Sequence, residues 1–189
     1  MPTPARTSVD EIVAVGRTIL ESEGIEGLTM QRVAAAVGIR APSLYKRVRD
    51  RSDLVRLILT DAVSELTARL DETAVTGDPR RDLAGLAHVY REFARSHPET
   101  YALLFSRLPE GSRIDAALNT RASQAVVRTA GALAGSDDAL DAARTFVAWA
   151  NGFIGMELAG AFRLGGDVDR AFEYGIDRIG AAVDVRGGG

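Results

Sequence analysis

Apolar residues recur at intervals of three and four along almost the whole chain, which is the spacing of amphipathic helices. The first such segment follows Ser8 and Glu11, a capping-box pair, and ends near Gly24. Further helices are predicted, by number, over about 53–74, 80–96, 99–108, 113–134, 138–164 and 168–185. No segment alternates apolar and polar residues as a strand would. The pattern therefore predicts an all-α protein.

Between the first helix and the long helix from Asp53, residues 29–51 predict two short helices joined by a tight turn. Thr29 is a suitable N-cap, because its hydroxyl can accept from the free N–H groups of the first turn. Val33, Ala34 and Val37 follow at helical spacing and predict a buried face. Gly38 comes next, where a left-handed residue would end the helix at little cost.

The second short helix is predicted over about Pro42–Val48. Pro42 lies near its start, where a missing N–H is tolerated, and Leu44 and Val48 would face inward. Polar and basic side chains remain on the other faces. A helix–turn–helix uses this layout to place its second helix in the DNA major groove. An ordinary helical hairpin with a solvated basic face is the alternative.

Charge favours the DNA-binding interpretation. The chain has a formal net charge of −3, but its first 51 residues hold eight basic and six acidic side chains, against 15 and 20 in the remainder. From Gln31 to Arg51 there is one acidic residue, Asp50, among six basic ones: Arg32, Arg40, Lys46, Arg47, Arg49 and Arg51. A local basic patch on an acidic protein is typical of a phosphate-facing surface.

The segment Phe146–Phe162 is apolar nearly all round, so it is expected to be covered on several sides. One face carries small residues (Ala148, Gly152, Gly155, Ala159) and another carries large ones (Phe146, Trp149, Phe153, Met156). The last helix has its own apolar stripe (Phe172, Ile176, Ile179, Val183). The surplus apolar surface predicts a homodimer built mainly from the last two helices. A central helix buried within a monomer is the alternative.

Other classes of protein receive little support from the sequence. There is no cysteine, and the two histidines, His88 and His97, have no carboxylate at metal-ligand spacing, so neither a metal site nor a cofactor is expected. No constellation for nucleophilic catalysis or phosphate binding occurs, which disfavours an enzyme. Without a signal-like start or an apolar run of about 20 residues, no membrane association is expected and a cytoplasmic location is the default.

The stretch GLTMQRVAAAVGIRAPSLYKRVRDRSDLV resembles the DNA-binding domain of the TetR family of transcriptional regulators. It shows that family's capped helix, glycine turn and Pro-small-Leu-Tyr recognition helix, although the family more often has an aromatic residue at Val48. In the C-terminal half, HPETYALLF and FVAWANGFIGMELAGAF are similar to the TetR-type C-terminal domain named for a Trp-His-Gly motif. Trp149 and Gly152 fit that motif, and Asn151 stands where the family usually has histidine.

The resemblance implies a three-helix helix–turn–helix DNA-binding domain over residues 1–51 and a helical bundle over 52–186 that binds an effector and dimerises. Residues 187–189 are expected to form a disordered tail. Thr29, Tyr45 and Arg51 match positions that contact phosphates in the family. The positions at or near the groove are Gln31, Arg40, Ala41, Pro42, Ser43, Lys46 and Arg47. A twofold pair of such domains would read double-stranded DNA at a palindromic operator.

The expected function is that of a DNA-binding regulator, usually a repressor in this family, released from its operator by a small and largely hydrophobic effector. The effector site is expected among Phe105, Phe146, Trp149 and Phe153, with Asn151 as a polar anchor. These side chains could instead be core residues, with Asn151 making a structural hydrogen bond. A ligand-independent regulator or an architectural DNA-binding protein is the alternative function.

Overall fold

The computed structural model describes residues 8–185, and within that range the chain is helical with no β-strand, which confirms the all-α prediction. Nine α-helices and a short 3₁₀ helix account for the regular structure of the described residues. The predicted tail, 187–189, lies outside them. The first four helices are α1 (Val9–Gly27), α2 (Met30–Ala36), α3 (Ala41–Leu44) and α4 (Arg51–Thr73). The remainder are α5 (Pro79–Ser96), α6 (Pro98–Leu104), the 3₁₀ helix (Glu110–Ser112), α7 (Ala116–Ala134), α8 (Ala139–Leu158) and α9 (Val168–Val183).

The chain forms two compact units. The N-terminal unit comprises the residues up to Val63 together with His97–Leu118, and the C-terminal unit comprises Ser64–Ser96 together with the residues from Asn119 onward. The chain therefore passes between the units within α4, at the α5–α6 junction and within α7. The boundary predicted after Arg51 separates a DNA-binding domain from an effector-binding domain. Because it is defined by function and not by compactness, it stays a prediction.

In the N-terminal unit, α1 begins with the predicted cap, because the Ser8 hydroxyl accepts from the Glu11 N–H at 3.0 Å. The helix bends at Gly24, whose φ of 70° lies in the region that favours glycine. The core combines apolar side chains of α1 to α4, including Ile12, Leu20, Leu28, Val33, Leu44, Val48, Leu54 and Ile58. Side chains of α6 and the segment after it, Leu103, Leu104, Leu108 and Ile114, pack against this core.

In the C-terminal unit, α5 packs against both α8 and α9, and α8 packs against α9. The largest fully buried side chains are Phe93, Phe146 and Phe172, one from each of these helices. The predicted stripe on α9 belongs largely to this core, because Phe172, Ile176 and Val183 are buried within the unit. It is therefore not a free surface.

The structure corrects several predicted helix limits. The helix expected to reach Leu164 ends at Leu158, because Gly160 adopts a φ of 61° and the N–H of Ala161 donates to the Met156 carbonyl, as in a Schellman stop. Two limits earlier in the chain also differ from the prediction. Helix α6 ends at Leu104 rather than Leu108, and α7 starts at Ala116 rather than at residue 113. None of the helices in the described range is both long and apolar enough to cross a membrane.

Candidate nucleic-acid interface

The predicted helix–turn–helix is formed by α2, α3 and the turn between them. The Thr29 hydroxyl caps α2 by accepting from the Arg32 N–H at 3.2 Å, as expected. Gly38 has a φ of 71°, and the N–H of the following Ile39 returns to the Ala34 carbonyl at 2.9 Å. Local rules therefore predict this turn correctly, because each of its bonds joins residues close in sequence.

The second helix of the pair is shorter than predicted. Regular α-helix ends at Leu44, and residues 45–47 continue as a turn in which the Val48 N–H still donates to the Leu44 carbonyl at 3.0 Å. Leu44 and Val48 are fully buried, as their spacing predicts. Their burial holds the opposite side of the segment at the surface, where Tyr45 is 52% exposed and Lys46 is also exposed.

All ten residues predicted to contact DNA are solvent-accessible in this unit. Eight are exposed (Thr29, Gln31, Arg40, Pro42, Ser43, Tyr45, Lys46, Arg51) and two are half-buried (Ala41, Arg47). The surface that they form is called the α2–α3 surface below. Their accessibility is what a DNA contact requires, and the individual roles stay predictions.

The basic side chains of the α2–α3 surface and its flanks differ in what already binds them. Arg32 forms an ion pair with Glu23, and Arg49 forms one with Asp50 at 3.2 Å. Arg40, Lys46 and Arg47 have no side-chain hydrogen bond or ion pair with any described residue. These last three cations are therefore available to phosphates or bases without first breaking a protein contact.

Arg51 has a structural partner that the sequence does not reveal. Its Nε donates to the Leu28 carbonyl at 2.7 Å, and its Nη2 donates to the Ile25 carbonyl. Both carbonyls lie at the C-terminal end of α1, where unpaired C=O groups and the helix dipole favour a cation. A phosphate contact by Arg51 would share the guanidinium with this end of α1.

The start of α4 is capped by an aspartate pair. Asp50 accepts from the Asp53 N–H at 2.8 Å, and Asp53 accepts from the Arg49 N–H at 3.0 Å. This arrangement is a variant of the capping box, because Asp53 accepts from the N–H of Arg49, one residue before the cap Asp50, rather than from that of Asp50 itself. The backbone hydrogen bond from Asp53 lowers the pKa of Asp50, and the bond from Arg49 lowers the pKa of Asp53. The box fixes the segment that follows the α2–α3 surface.

The residues predicted to bind an effector belong to two different units. Phe146, Trp149 and Phe153 on α8 form an aromatic cluster with Phe172 on α9, in which the Trp149 and Phe172 rings stack with centroids 5.5 Å apart. Phe105 belongs to the other unit, where its ring contacts Tyr101 at 4.9 Å. The sequence could not separate them, because it does not show which unit each helix joins.

Asn151, the predicted polar anchor, is half-buried on α8. Its side chain makes no hydrogen bond with another described residue, so the alternative of a structural bond in the core is not what the structure contains. Its amide is left with unused donors and acceptors. This is compatible with a ligand contact and does not identify one.

Sequence reasoning missed an ionic group beside the aromatic cluster. Arg91 on α5 binds Glu157 of α8 through two hydrogen bonds, and its guanidinium lies 4.4 Å from the centroid of the Phe172 ring. One signal was available, since Glu157 is the single charged residue between Phe146 and Phe162. No group of His, Asp or Glu residues able to hold a metal ion occurs in the part of the chain that the structure describes.

A comparison with protein-family models matches residues 83–179 to the model described as "Tetracyclin repressor-like, C-terminal domain". Among curated proteins, an uncharacterised HTH-type transcriptional regulator of Mycobacterium tuberculosis, Rv0681, is 28% identical over 97% of this chain and 84% of its own length. The class E tetracycline repressor protein of Escherichia coli is 39% identical over 54 residues, which cover 29% of this chain and 26% of the repressor.

Solved structures share the fold. A TetR variant from Acinetobacter baumannii in complex with minocycline superposes with a TM-score of 0.68, covering 92% of this chain and 94% of that one. At 18% identity, this similarity shows the fold alone. The aligned part of the chain includes helices of both units.

Proposed function

This chain belongs to the TetR family of transcriptional regulators, and from that premise we propose that it is a repressor that binds a palindromic operator through the α2–α3 surface. The proposed DNA-binding domain is residues 1–51, and the proposed effector and dimerisation domain is residues 52–186. The observation that carries the proposal is a trio of accessible cations without a partner among the described residues, Arg40, Lys46 and Arg47, beside the exposed Tyr45.

Within this proposal the residues have distinct roles. Thr29, Tyr45 and Arg51 would hold phosphates and set the register on the duplex. Arg47 and Gln31 are suited to base edges, since arginine can bind guanine bidentately and glutamine can bind adenine, each worth about 1–3 kcal/mol of discrimination. Arg40 and Lys46 add charge, while Ala41, Pro42 and Ser43 line the approach with small side chains.

The test removes two of the unpartnered cations. Lys46→Ala combined with Arg47→Ala should weaken binding to a duplex selected by the unmodified protein from a random-sequence pool. Each lost phosphate contact should lower the salt slope by about 0.9, so the slope should fall by up to about 2. Arg81→Ala combined with Arg121→Ala is the matched control, because both side chains are exposed in the C-terminal unit. Equal salt slopes for the two double variants would refute the assignment.

We further propose a homodimer that uses the outer face of α8. Ala148, Gly152, Gly155 and Met156 are exposed there, and Met156 retains 49% of its surface. No charged residue occurs between Ala148 and Met156, and an isolated chain would leave this part of α8 as apolar surface in water. A stable interface should bury about 2,000 Å² or more in total. Two α2–α3 surfaces could then reach half-sites about 34–36 Å, or a multiple, apart.

Gly155→Arg tests the dimer cleanly. A Cβ at Gly155 would meet no atom within 4 Å, so the substitution fits the isolated chain. It should convert a dimer to a folded monomer in sedimentation velocity. Gln124→Arg, at an exposed position of α7, adds the same charge elsewhere and should leave the dimer intact. A monomeric unmodified chain at micromolar concentration would refute the homodimer.

The proposed effector is a small, largely hydrophobic or planar molecule that contacts the aromatic cluster, with Asn151 as the polar contact. The support is chemical, because ligand pockets are mostly apolar with a few oriented polar groups. Phe105, the remaining residue predicted for the effector site, belongs to the N-terminal unit and stays a prediction. Effector binding would lower operator affinity through a coupling of about 1–3 kcal/mol.

The alternative is a ligand-independent regulator, and one observation favours it. Phe146 and Phe172 are fully buried against their aromatic neighbours, so part of the predicted site is already packed core. A thermal-shift screen of planar hydrophobic compounds, read in parallel through Trp149 fluorescence, separates the two. Compounds that stabilise the protein and also weaken selected-duplex binding support an effector. Compounds that stabilise it without changing DNA affinity support the alternative.

A further inference from the structure

Four charged side chains from three helices meet beside the aromatic cluster. Arg91 donates to Glu157 through Nε at 2.8 Å and through Nη2 at 2.7 Å, and Nη2 also lies 2.7 Å from Asp169. Arg95, one turn along α5, contacts Glu157 at 2.6 Å and Asp169 at 2.8 Å. This ionic quartet joins α5 to the last turn of α8 and the first turn of α9.

Arg91 is the buried member of the quartet. Its side chain is 6% exposed and that of Glu157 is 15% exposed, whereas Arg95 and Asp169 are 49% and 69% exposed. The Arg91 guanidinium lies over the Phe172 ring and 6.0 Å from the centroid of Phe153. Hydrogen bonds from Arg91, aided by Arg95, lower the pKa of Glu157. A charge removed from water to this extent is tolerated only with well-placed partners.

The segment between α8 and α9 contains no regular secondary structure. Residues 159–167 contain three glycines with positive φ, Gly160, Gly165 and Gly166, and Leu164 is fully exposed. The Schellman bonds, the Arg163 contact to Gly160, a ring contact between Phe162 and Phe153 and the Asp167 cap of α9 hold this segment. To these contacts, and to the ring contact of Phe153 with Phe172, the ionic quartet adds a link from α5 to both helix ends.

We propose that Arg91 is a positioning residue for self-association, because it holds the ends of α8 and α9 in the arrangement that the dimer face requires. The inference rests on the proposed homodimer. Met156, on the exposed face of α8, is adjacent to Glu157 in sequence, so a shift of Glu157 moves that face directly. Arg91 itself lies in the interior and does not have to touch the second copy.

The test compares Arg91→Met and Glu157→Gln with a matched exposed pair. Arg91→Met removes the contacts of Arg91 to Glu157 and Asp169, and Glu157→Gln neutralises the carboxylate that both arginines contact. Each variant should raise the dimer dissociation constant at least ten-fold in sedimentation velocity. Arg69→Met is the control, because Arg69 pairs with Glu92 at 2.9 Å at a much more exposed place in the same unit. Its dissociation constant should stay within two-fold of the unmodified chain. The near-ultraviolet circular dichroism spectrum, which reports the Trp149–Phe172 stacking, should change in Arg91→Met and stay unchanged in Arg69→Met.

If Arg91→Met fails to fold, the double variant Arg91→Met/Glu157→Met leaves no unpaired charge between these two residues and should fold. It still lacks the tie to Asp169, so it too should dimerise at least ten-fold more weakly. Unchanged dimerisation of the folded variants, with only a lower Tm, would overturn the positioning role and leave the homodimer standing. An unmodified chain that is monomeric would instead overturn the homodimer proposal, and this inference with it.

Discussion

Gly175 on α9 offers a quantitative test of how tightly the aromatic cluster is packed. A Cβ at this position would lie 2.3 Å from Cζ2 of Trp149, 2.9 Å from Cε2 and 3.1 Å from Nε1. Carbon atoms do not approach so closely, so Gly175→Ala requires the indole or α9 to move. The indole has limited room, since it stacks on Phe172 and contacts Phe146 and Phe153.

The magnitude follows from two opposing effects. Alanine should stabilise the helix by about 0.5–1 kcal/mol relative to glycine, whereas overpacking of a well-packed core costs about 1–3 kcal/mol. We therefore expect Gly175→Ala to lower the free energy of unfolding by roughly 0.5–2 kcal/mol. Gly180→Ala, in the same helix, is the matched control, because its Cβ would meet only Leu83 at an ordinary 4.0 Å. That variant should be neutral or slightly more stable.

The assay is chemical denaturation at one fixed protein concentration, followed by far-ultraviolet circular dichroism. For a chain of this size, each kcal/mol corresponds to about 2–4 °C in Tm, which gives an independent check. Trp149→Phe removes the clashing atoms, so it should reduce the cost of Gly175→Ala in a double-mutant cycle. Equal stability of the two glycine variants would show that the indole moves freely and that the cluster is not closely packed.

Three further predictions concern the N-terminal unit. Glu21 accepts from the Glu99 and Thr100 N–H groups, both at 3.1 Å, at the start of α6, where the N-cap residue makes no side-chain hydrogen bond. Glu21→Ala should therefore lower the free energy of unfolding by about 1 kcal/mol and speed amide hydrogen exchange at the start of α6. Unchanged exchange there would contradict this prediction. Glu23→Gln should release Arg32 and raise affinity for the selected duplex, most clearly at low salt; a loss of affinity would contradict this. The capping box of α4 has lowered carboxylate pKa values, so its stabilisation is present above about pH 3.8 and is lost as the pH falls through the folded values. An Asp53→Asn variant should show a weaker acid dependence of unfolding between pH 5 and 2.

Features that depend on neighbours in sequence were predictable. The cap at Thr29, the left-handed Gly38 and the buried pair Leu44 and Val48 all follow from local rules, since their partners lie within five residues. The helix limits were less accurate where two stop signals compete. Gly160 ends α8 before the Gly165–Gly166 pair, and the sequence alone could not rank these signals.

Contacts between residues far apart in the chain could not be predicted from the sequence. Arg51 is 23 residues from Leu28, and Arg91 is 66 residues from Glu157, so no local pattern identifies either contact. The sequence also could not show what covers each apolar helix face, because helical spacing identifies an apolar face without identifying its partner. The α9 stripe proved to be core, whereas the small-residue face of α8 is exposed.

The sequence by itself determined the helical fold, the position of the helix–turn–helix and the sign of its charge. These properties arise from helix propensity, capping and hydrophobic periodicity, which depend only on residues a few positions apart in the sequence. Only the tertiary structure decided which arginines remain available to DNA, which aromatic residues share a cluster and where Phe105 lies. Those outcomes depend on which helices meet, and distant side chains compete for the same charge or apolar surface only after the chain has folded.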